Sequence, residues 1–218
     1  MLEVIKNLVP PARYKLKCPN PMQPKYIVVH NTANDASAKN EIAYMIRNEK
    51  PTGFHFAIDD REIVQGIPED RNAWHAGDGA GKGNMTGIGI EICYSKSGGA
   101  RFDAAERLAV KFIVQKLKEY NWSIDRVIRH FDCSGKNCPH RTMEKGWDRF
   151  LDMIRAEMEG EDQEVVKEIK MKINGRLVKV QTIEKDGNNF VKLQDLRLNG
   201  LDVKYDNKEK IAEINFAR

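Results

Sequence analysis

The chain reads as an α/β protein with a mixed central sheet flanked by helices, followed by a small carboxy-terminal β-rich domain. Three features predict this. Over roughly 1 to 160, short β-branched runs alternate with segments of helical period. Between Glu159 and Glu164 that order lapses into a polar, acidic stretch of the kind that joins domains. Beyond it, apolar and polar residues alternate between Asn-Gly and Asp-Gly turns. The expected boundaries are 1–160 for the first domain, 161–166 for a linker and 167–218 for the second domain.

Tyr26 to His30 is a strand by its β-branched content. After the cap candidates Asp35 and Ser37, Ile42, Met45 and Ile46 recur at helical spacing across 38–48. The runs 54–59 and 62–65 flank Asp59-Asp60-Arg61 as a hairpin, and 87–92 is a further β-rich run after a glycine-heavy loop from Gly77 to Gly83. Asp103 is read as the cap of a long amphipathic helix to Tyr120, with Leu108, Phe112, Val114 and Leu117 on its apolar side. Arg126 to His130 is another strand, and 144–158 a last helix carrying Trp147, Phe150, Leu151 and Ile154 on one face. In the second domain Ile169, Met171 and Ile173 alternate with lysines before Asn174-Gly175, and Leu201, Val203 and Tyr205 mark a later strand.

Composition excludes several classes. With 218 residues, 41% hydrophobic and 31% charged, the chain is neither a coiled coil nor disordered. A formal net charge of +4, without a run of five like charges, gives no reason to expect a nucleic-acid partner. No apolar run approaches the roughly 18 residues of a membrane span, so no membrane insertion is expected. The first residues lack a basic stretch ahead of an apolar core, so synthesis in the cytoplasm without a secretory signal is expected. Four cysteines in such a chain read as free thiols or metal ligands rather than a disulfide framework.

His30 and His130 each close a β-branched run, and neighbouring strands bring such strand-end imidazoles together. Cys138 follows His130 by eight residues, in a loop where Gly135 and Pro139 allow the thiol to turn back toward the same point. Two nitrogens and one sulfur make a tetrahedral zinc set with an open fourth position, the catalytic rather than the structural arrangement. A local structural knuckle of His130, Cys133, Cys138 and His140 has an equally suitable donor content and leaves His30 without a metal role.

Taken in order, Val29-His-Asn-Thr-Ala33, Phe54-His-Phe-Ala-Ile-Asp-Asp60, Trp74-His-Ala-Gly-Asp-Gly79, Gly87-Ile-Gly-Ile-Glu-Ile-Cys93 and Ser134-Gly-Lys-Asn-Cys-Pro139 resemble the zinc-dependent N-acetylmuramoyl-L-alanine amidases of type 2. These are relatives of the peptidoglycan-recognition proteins, and the resemblance is greatest to phage and prophage endolysins of Gram-positive hosts. It spans most of 20–155. It implies one catalytic zinc ion on His30, His130 and Cys138, Glu91 as the catalytic glutamate, and Lys136 as the basic group beside the metal. Trp74 and His75 fit the wall of a substrate groove, an aromatic face suiting sugar or peptide, and His55 is read either as a further groove residue or as a partner behind the metal ligands. Phe54 stands where many relatives carry a tyrosine, so more of the proton transfer falls to Glu91.

The implied activity is hydrolysis of the amide between N-acetylmuramic acid and the L-alanine of the stem peptide in bacterial cell-wall peptidoglycan. The enzyme would reach the wall after release, with a holin-like partner or by lysis. Two other functions fit the same motifs: a non-catalytic peptidoglycan-recognition module, which typically lacks the cysteine, and a cytoplasmic amidase that recycles muropeptides. The second domain holds 12 basic against 9 acidic residues after position 163 and no histidine or cysteine. It is read as a cell-wall-binding module for anionic wall polymers.

Overall fold

The computed structural model describes residues 1–162, 166–173, 175–185, 188–191, 196–197, 201–206 and 211–216. The chain divides into two compact units, Met1–Met158 and Glu159–Arg218.

In the first unit the strands are β1 (Ile5–Lys6), β2 (Tyr26–Asn31), β3 (Phe56–Ile58), β4 (Ile63–Gln65), β5 (Gly87–Ile92) and β6 (Val127–Arg129). They form one sheet in the order β1-β4-β3-β5-β2-β6. All neighbouring pairs are parallel except β3 with β4. The helices are α1 (Tyr14–Lys17), α2 (Ala38–Arg47), α3 (Lys82–Thr86), α4 (Gly99–Glu119), α5 (Phe131–Ser134), α6 (His140–Glu144) and α7 (Trp147–Asp162).

β5 explains how the sheet can serve two purposes. In Gly87-Ile-Gly-Ile-Glu-Ile92 the three isoleucines fall on one side and Gly87, Gly89 and Glu91 on the other, because side chains alternate across a strand. Ile88, Ile90 and Ile92 are fully buried, each such burial contributing about 1.5–3 kcal/mol. Phe56 and Ile58 of β3 lie opposite Ile90 and Ile92. Phe56 meets Phe112 of α4 edge to face, with ring centroids 4.8 Å apart. The isoleucine face is therefore the core face, sealed by the buried stripe of α4 from Phe102 to Leu117.

The long helix begins four residues before Asp103, with Gly98 as its N-cap. Asp103 therefore caps nothing; it lies within the first turns and pairs with Lys145 at 2.5 Å. The left-handed φ of Gly98, 69°, turns the chain sharply into the helix, a geometry that Asp would strain to adopt. The expected last helix, 144–158, is α7, which starts at Trp147; Gly146, at φ 104°, parts it from the short α6 that precedes it. α7 docks Phe150 and Ile154 into the core, and its Arg149 binds the buried Glu106 of α4 at 2.7 Å. It continues to Asp162, into the stretch expected as a linker; 163–165 lie outside the described residues.

Ser37, rather than Asp35, is the N-cap of α2, its hydroxyl accepting from the Asn40 N–H. Asp59 supports the same helix start. One carboxylate oxygen accepts from the Ala38 N–H, and the other from the N–H groups of Arg61 and Glu62, which closes the β3–β4 turn. Asp59→Ala strips three backbone donors of a buried acceptor, so stability should fall by roughly 1–3 kcal/mol in urea titration. An unchanged midpoint would show that water replaces the carboxylate at no cost.

In the second unit β7 (Val166–Ile173), β8 (Arg176–Lys185) and β9 (Asn188–Val191) form an antiparallel sheet, and β10 (Leu201–Asp206) pairs with β11 (Ile211–Phe216). Gly175, with φ 79°, lies in the β7–β8 turn, as the Asn-Gly pair predicts. The Asp186-Gly187 and Asn199-Gly200 turns lie outside the described residues. Lys170 faces Lys179 and Lys172 faces Leu177 across the ladder, all exposed, while Val180 and Thr182 are buried. Among the described residues no helix is long and apolar enough to cross a membrane.

Candidate metal centre and active site

His30 sits near the carboxyl end of β2, opposite Glu91 of β5. On the other side of β2, the β6 ladder ends at Val29 with Arg129, and the His130 N–H continues it by donating to the Val29 carbonyl at 3.2 Å. The carboxyl ends of parallel strands are where open α/β sheets place their ligands. Both strand-end histidines thus converge as the sequence expects, because β2 and β6 are neighbours.

The third group arrives by the loop. α5 stops at Gly135, in the left-handed region at φ 75°, and the Cys138 N–H turns back onto the Lys136 carbonyl at 2.6 Å. Asn31, next to His30, fixes the far side. Its Oδ1 accepts from the N–H groups of Arg141 and Thr142 at the start of α6, and its Nδ2 donates to Thr142 Oγ1. His30 Nδ1 lies 3.0 Å from His130 Nδ1 and 3.9 Å from Cys138 Sγ. The three donor atoms all lie within 4.8 Å of one another and all three residues are buried. Cys133 and His140 are not part of this cluster, and Cys133 Sγ instead approaches the Arg129 carbonyl. All four cysteines are free.

Burial, reinforced by His75 and His130, holds His30 well below the ordinary imidazole range, and burial with the Lys136 charge lowers His130. Both rings are therefore neutral and carry lone pairs for a cation. Burial, then the Glu91 charge, pushes the Cys138 thiol up to about 11. A neighbouring cation is what such a thiol lacks for ionisation. His130 Nε2 and Glu91 Oε2 are enclosed without hydrogen-bond partners. Two soft-to-borderline nitrogens, one sulfur and unpartnered polar atoms together fit a zinc-type ion.

Glu91 lies on the same side of the sheet as His30. Burial, and to a lesser degree Glu41, raises its carboxyl to about 8, with Lys136 acting in the opposite direction. Lys136 is exposed, on the loop just before Cys138. Trp74 is half-buried.

His55 and His75 lie inside the fold rather than open on a groove. His55 is fully buried, with Nε2 donating to the Arg71 carbonyl at 2.9 Å and Nδ1 accepting from the Gly89 N–H at 2.9 Å. His75, 7% exposed, has its Nε2 against the Gly87 carbonyl at 3.2 Å and its Nδ1 against His30 Nε2 at 2.9 Å. Both ring nitrogens of each are thus engaged inside the protein. Burial sets His55 at about 4 and His75 at about 3.

Sequence reasoning missed four supports, Asn84, Asp78, Asn31 and Gly89. Asn84 accepts from the N–H groups of His75 and Ala76 and donates to the Gly79 carbonyl, while Asp78 receives the N–H groups of Gly83 and Asn84. No pattern announces Asn84 or Asn31, whose partners are remote or follow an irregular loop. Gly89 did leave a signal, the glycine–isoleucine alternation. A Cβ there would stand 2.9 Å from three atoms of the His75 ring.

The family described as N-acetylmuramoyl-L-alanine amidase matches residues 20–141. The N-acetylmuramoyl-L-alanine amidases CwlA and XlyB of Bacillus subtilis are each 58% identical, over 159 and 161 residues. These stretches cover 72% and 73% of the present chain but 58% and 51% of those relatives, so it spans little more than half of their length. Among solved structures, PlyL superposes with a TM-score of 0.69 at 51% identity, covering 70% of this chain and 97% of that one.

Proposed function

The chain belongs to the N-acetylmuramoyl-L-alanine amidase family, and from that premise we propose that it hydrolyses the amide joining N-acetylmuramic acid to the L-alanine of the stem peptide in bacterial peptidoglycan. The observation that carries the reading is the convergence of His30, His130 and Cys138 beside Glu91. His30, His130 and Cys138 would hold one zinc ion, which when bound would supply a Lewis acid for the scissile carbonyl and for water.

The remaining chemistry is the chain's own. Glu91, poised near neutrality by burial, takes a proton from the attacking water at its carboxylate and returns it to the departing alanine amine. The Lys136 ammonium stabilises the charge that develops on the carbonyl oxygen. Trp74 forms an apolar groove wall for sugar or peptide. Phe54 is buried in the core cluster, which supports leaving the proton transfer to Glu91. The test is to incubate purified walls with zinc-loaded and with chelated protein. New amino-terminal alanine without new reducing sugar, seen only with zinc, is expected; reducing sugar in its place would mark a glycosidase and overturn the reading.

The second unit anchors the enzyme to anionic wall polymers, and the exposed Lys170 and Lys172 on one face of the β7–β8 ladder, where Lys179 pairs with Glu168 at 2.6 Å, support this. The whole protein then acts at the wall after release from the cytoplasm. The double substitution Lys170→Glu, Lys172→Glu in the full chain should reduce co-pelleting with walls several-fold at low salt, with a smaller difference at 0.5 M salt as charges are screened. Undiminished pelleting at low salt rules this face out.

A further inference from the structure

We propose that His75 is a positioning residue that determines which nitrogen of His30 is left bare for a metal ion; the inference rests on the metal-site reading above. The direction is set by a backbone carbonyl. Gly87 C=O can only accept, so His75 Nε2, 3.2 Å away, carries the hydrogen. A neutral imidazole protonated there has a bare Nδ1, which lies 2.9 Å from His30 Nε2 and accepts its hydrogen. His30 is thereby protonated at Nε2 and bare at Nδ1, the atom that faces His130 Nδ1 and Cys138 Sγ. The usual outer partner of a metal-bound histidine is a carboxylate, a carbonyl or water. Here a second imidazole passes the preference of a carbonyl along.

The surroundings are built for this. Gly89 leaves the slot that the His75 ring fills, since an added Cβ would stand 2.9 Å from its Cγ, Cδ2 and Nδ1. Asn84 fixes the backbone of His75 and Ala76 through one oxygen, at 2.8 and 2.7 Å. His55 backs the ring edge to face at 5.9 Å, and is itself locked onto Gly89 through the Gly89 N–H to its Nδ1 and its own N–H to the Gly89 carbonyl. The ring of His75 consequently has one orientation, and its two nitrogens cannot exchange places.

Long-range proton–nitrogen NMR correlation on the full chain reads the tautomers directly, without and with zinc. Both His75 and His30 should be protonated at Nε2 in both states; His30 protonated at Nδ1 in the metal-free protein overturns the proposal. Zinc affinity by chelator competition gives a second reading. His75→Phe keeps a ring but removes both nitrogens, and should weaken zinc 10–100-fold. His75→Asn offers an amide oxygen near the place of Nδ1 and should stay within a few-fold of the natural protein. A Phe variant that binds as tightly, or an Asn variant as weak as the Phe variant, also overturns it. Should the Phe variant not fold, the tautomers of the unaltered protein decide alone. Failure of the natural protein to bind zinc at all removes the metal-site reading, and the tautomer measurement still judges His75.

Discussion

Replacing Glu91 by Gln is expected to leave zinc bound stoichiometrically while release of amino-terminal alanine from walls falls by about 100-fold or more. The two side chains have nearly the same shape, and Glu91 is not among the clustered donors, so the metal site has no reason to open. What is lost is proton exchange. Burial lifts the Glu91 carboxyl to about 8, close enough to neutrality for it to accept a proton and give it back; an amide does neither. Stability should change little near pH 7, because a carboxyl held at about 8 is already largely neutral there and the amide that replaces it is neutral too. Zinc content and turnover measured on the same preparation check this. Near-normal turnover removes Glu91 from the reaction.

The second large effect is expected at Cys138. Cys138→Ser should reduce bound zinc to a small fraction after dialysis at micromolar protein, and turnover with it. A hydroxyl is nearly the size of a thiol, so the loop held by Gly135, Asn31 and the Lys136 carbonyl should keep its course. The difference is chemical. Burial already pushes the thiol up to about 11, and a bound cation must displace its proton. A serine hydroxyl yields its proton far less readily and is a poorer partner for zinc than a thiolate. Atomic absorption after dialysis against buffer without chelator makes the comparison, and a fully metallated serine variant would remove Cys138 from the ligand set.

The course of the first unit was legible wherever a periodic pattern was strong: β2, α2, β5 and the body of α4 lie where alternation or helical spacing puts them. The convergence of His30, His130 and Cys138 was legible too, since both histidines end β-branched runs and Cys138 follows in a glycine-containing loop. What could not be read depends on distant partners. Gly98 rather than Asp103 starts α4 because the entering chain needs a left-handed turn, which a cap pattern does not reveal. β1 is only two residues, too short for any period to register. His75 reads as a groove residue beside Trp74 until Gly87, Gly89 and His30 are seen to surround it. A histidine's neighbours across a sheet leave no trace in its own stretch of chain.

The alternation in β5 carries a penalty for error on both sides at once. Were the strand to pair one position out of step, three isoleucines would crowd the imidazoles and a carboxylate would point into hydrocarbon. Shape and chemistry would be forfeited together, so a mispaired population should be sparse and inert rather than abundant and half-active.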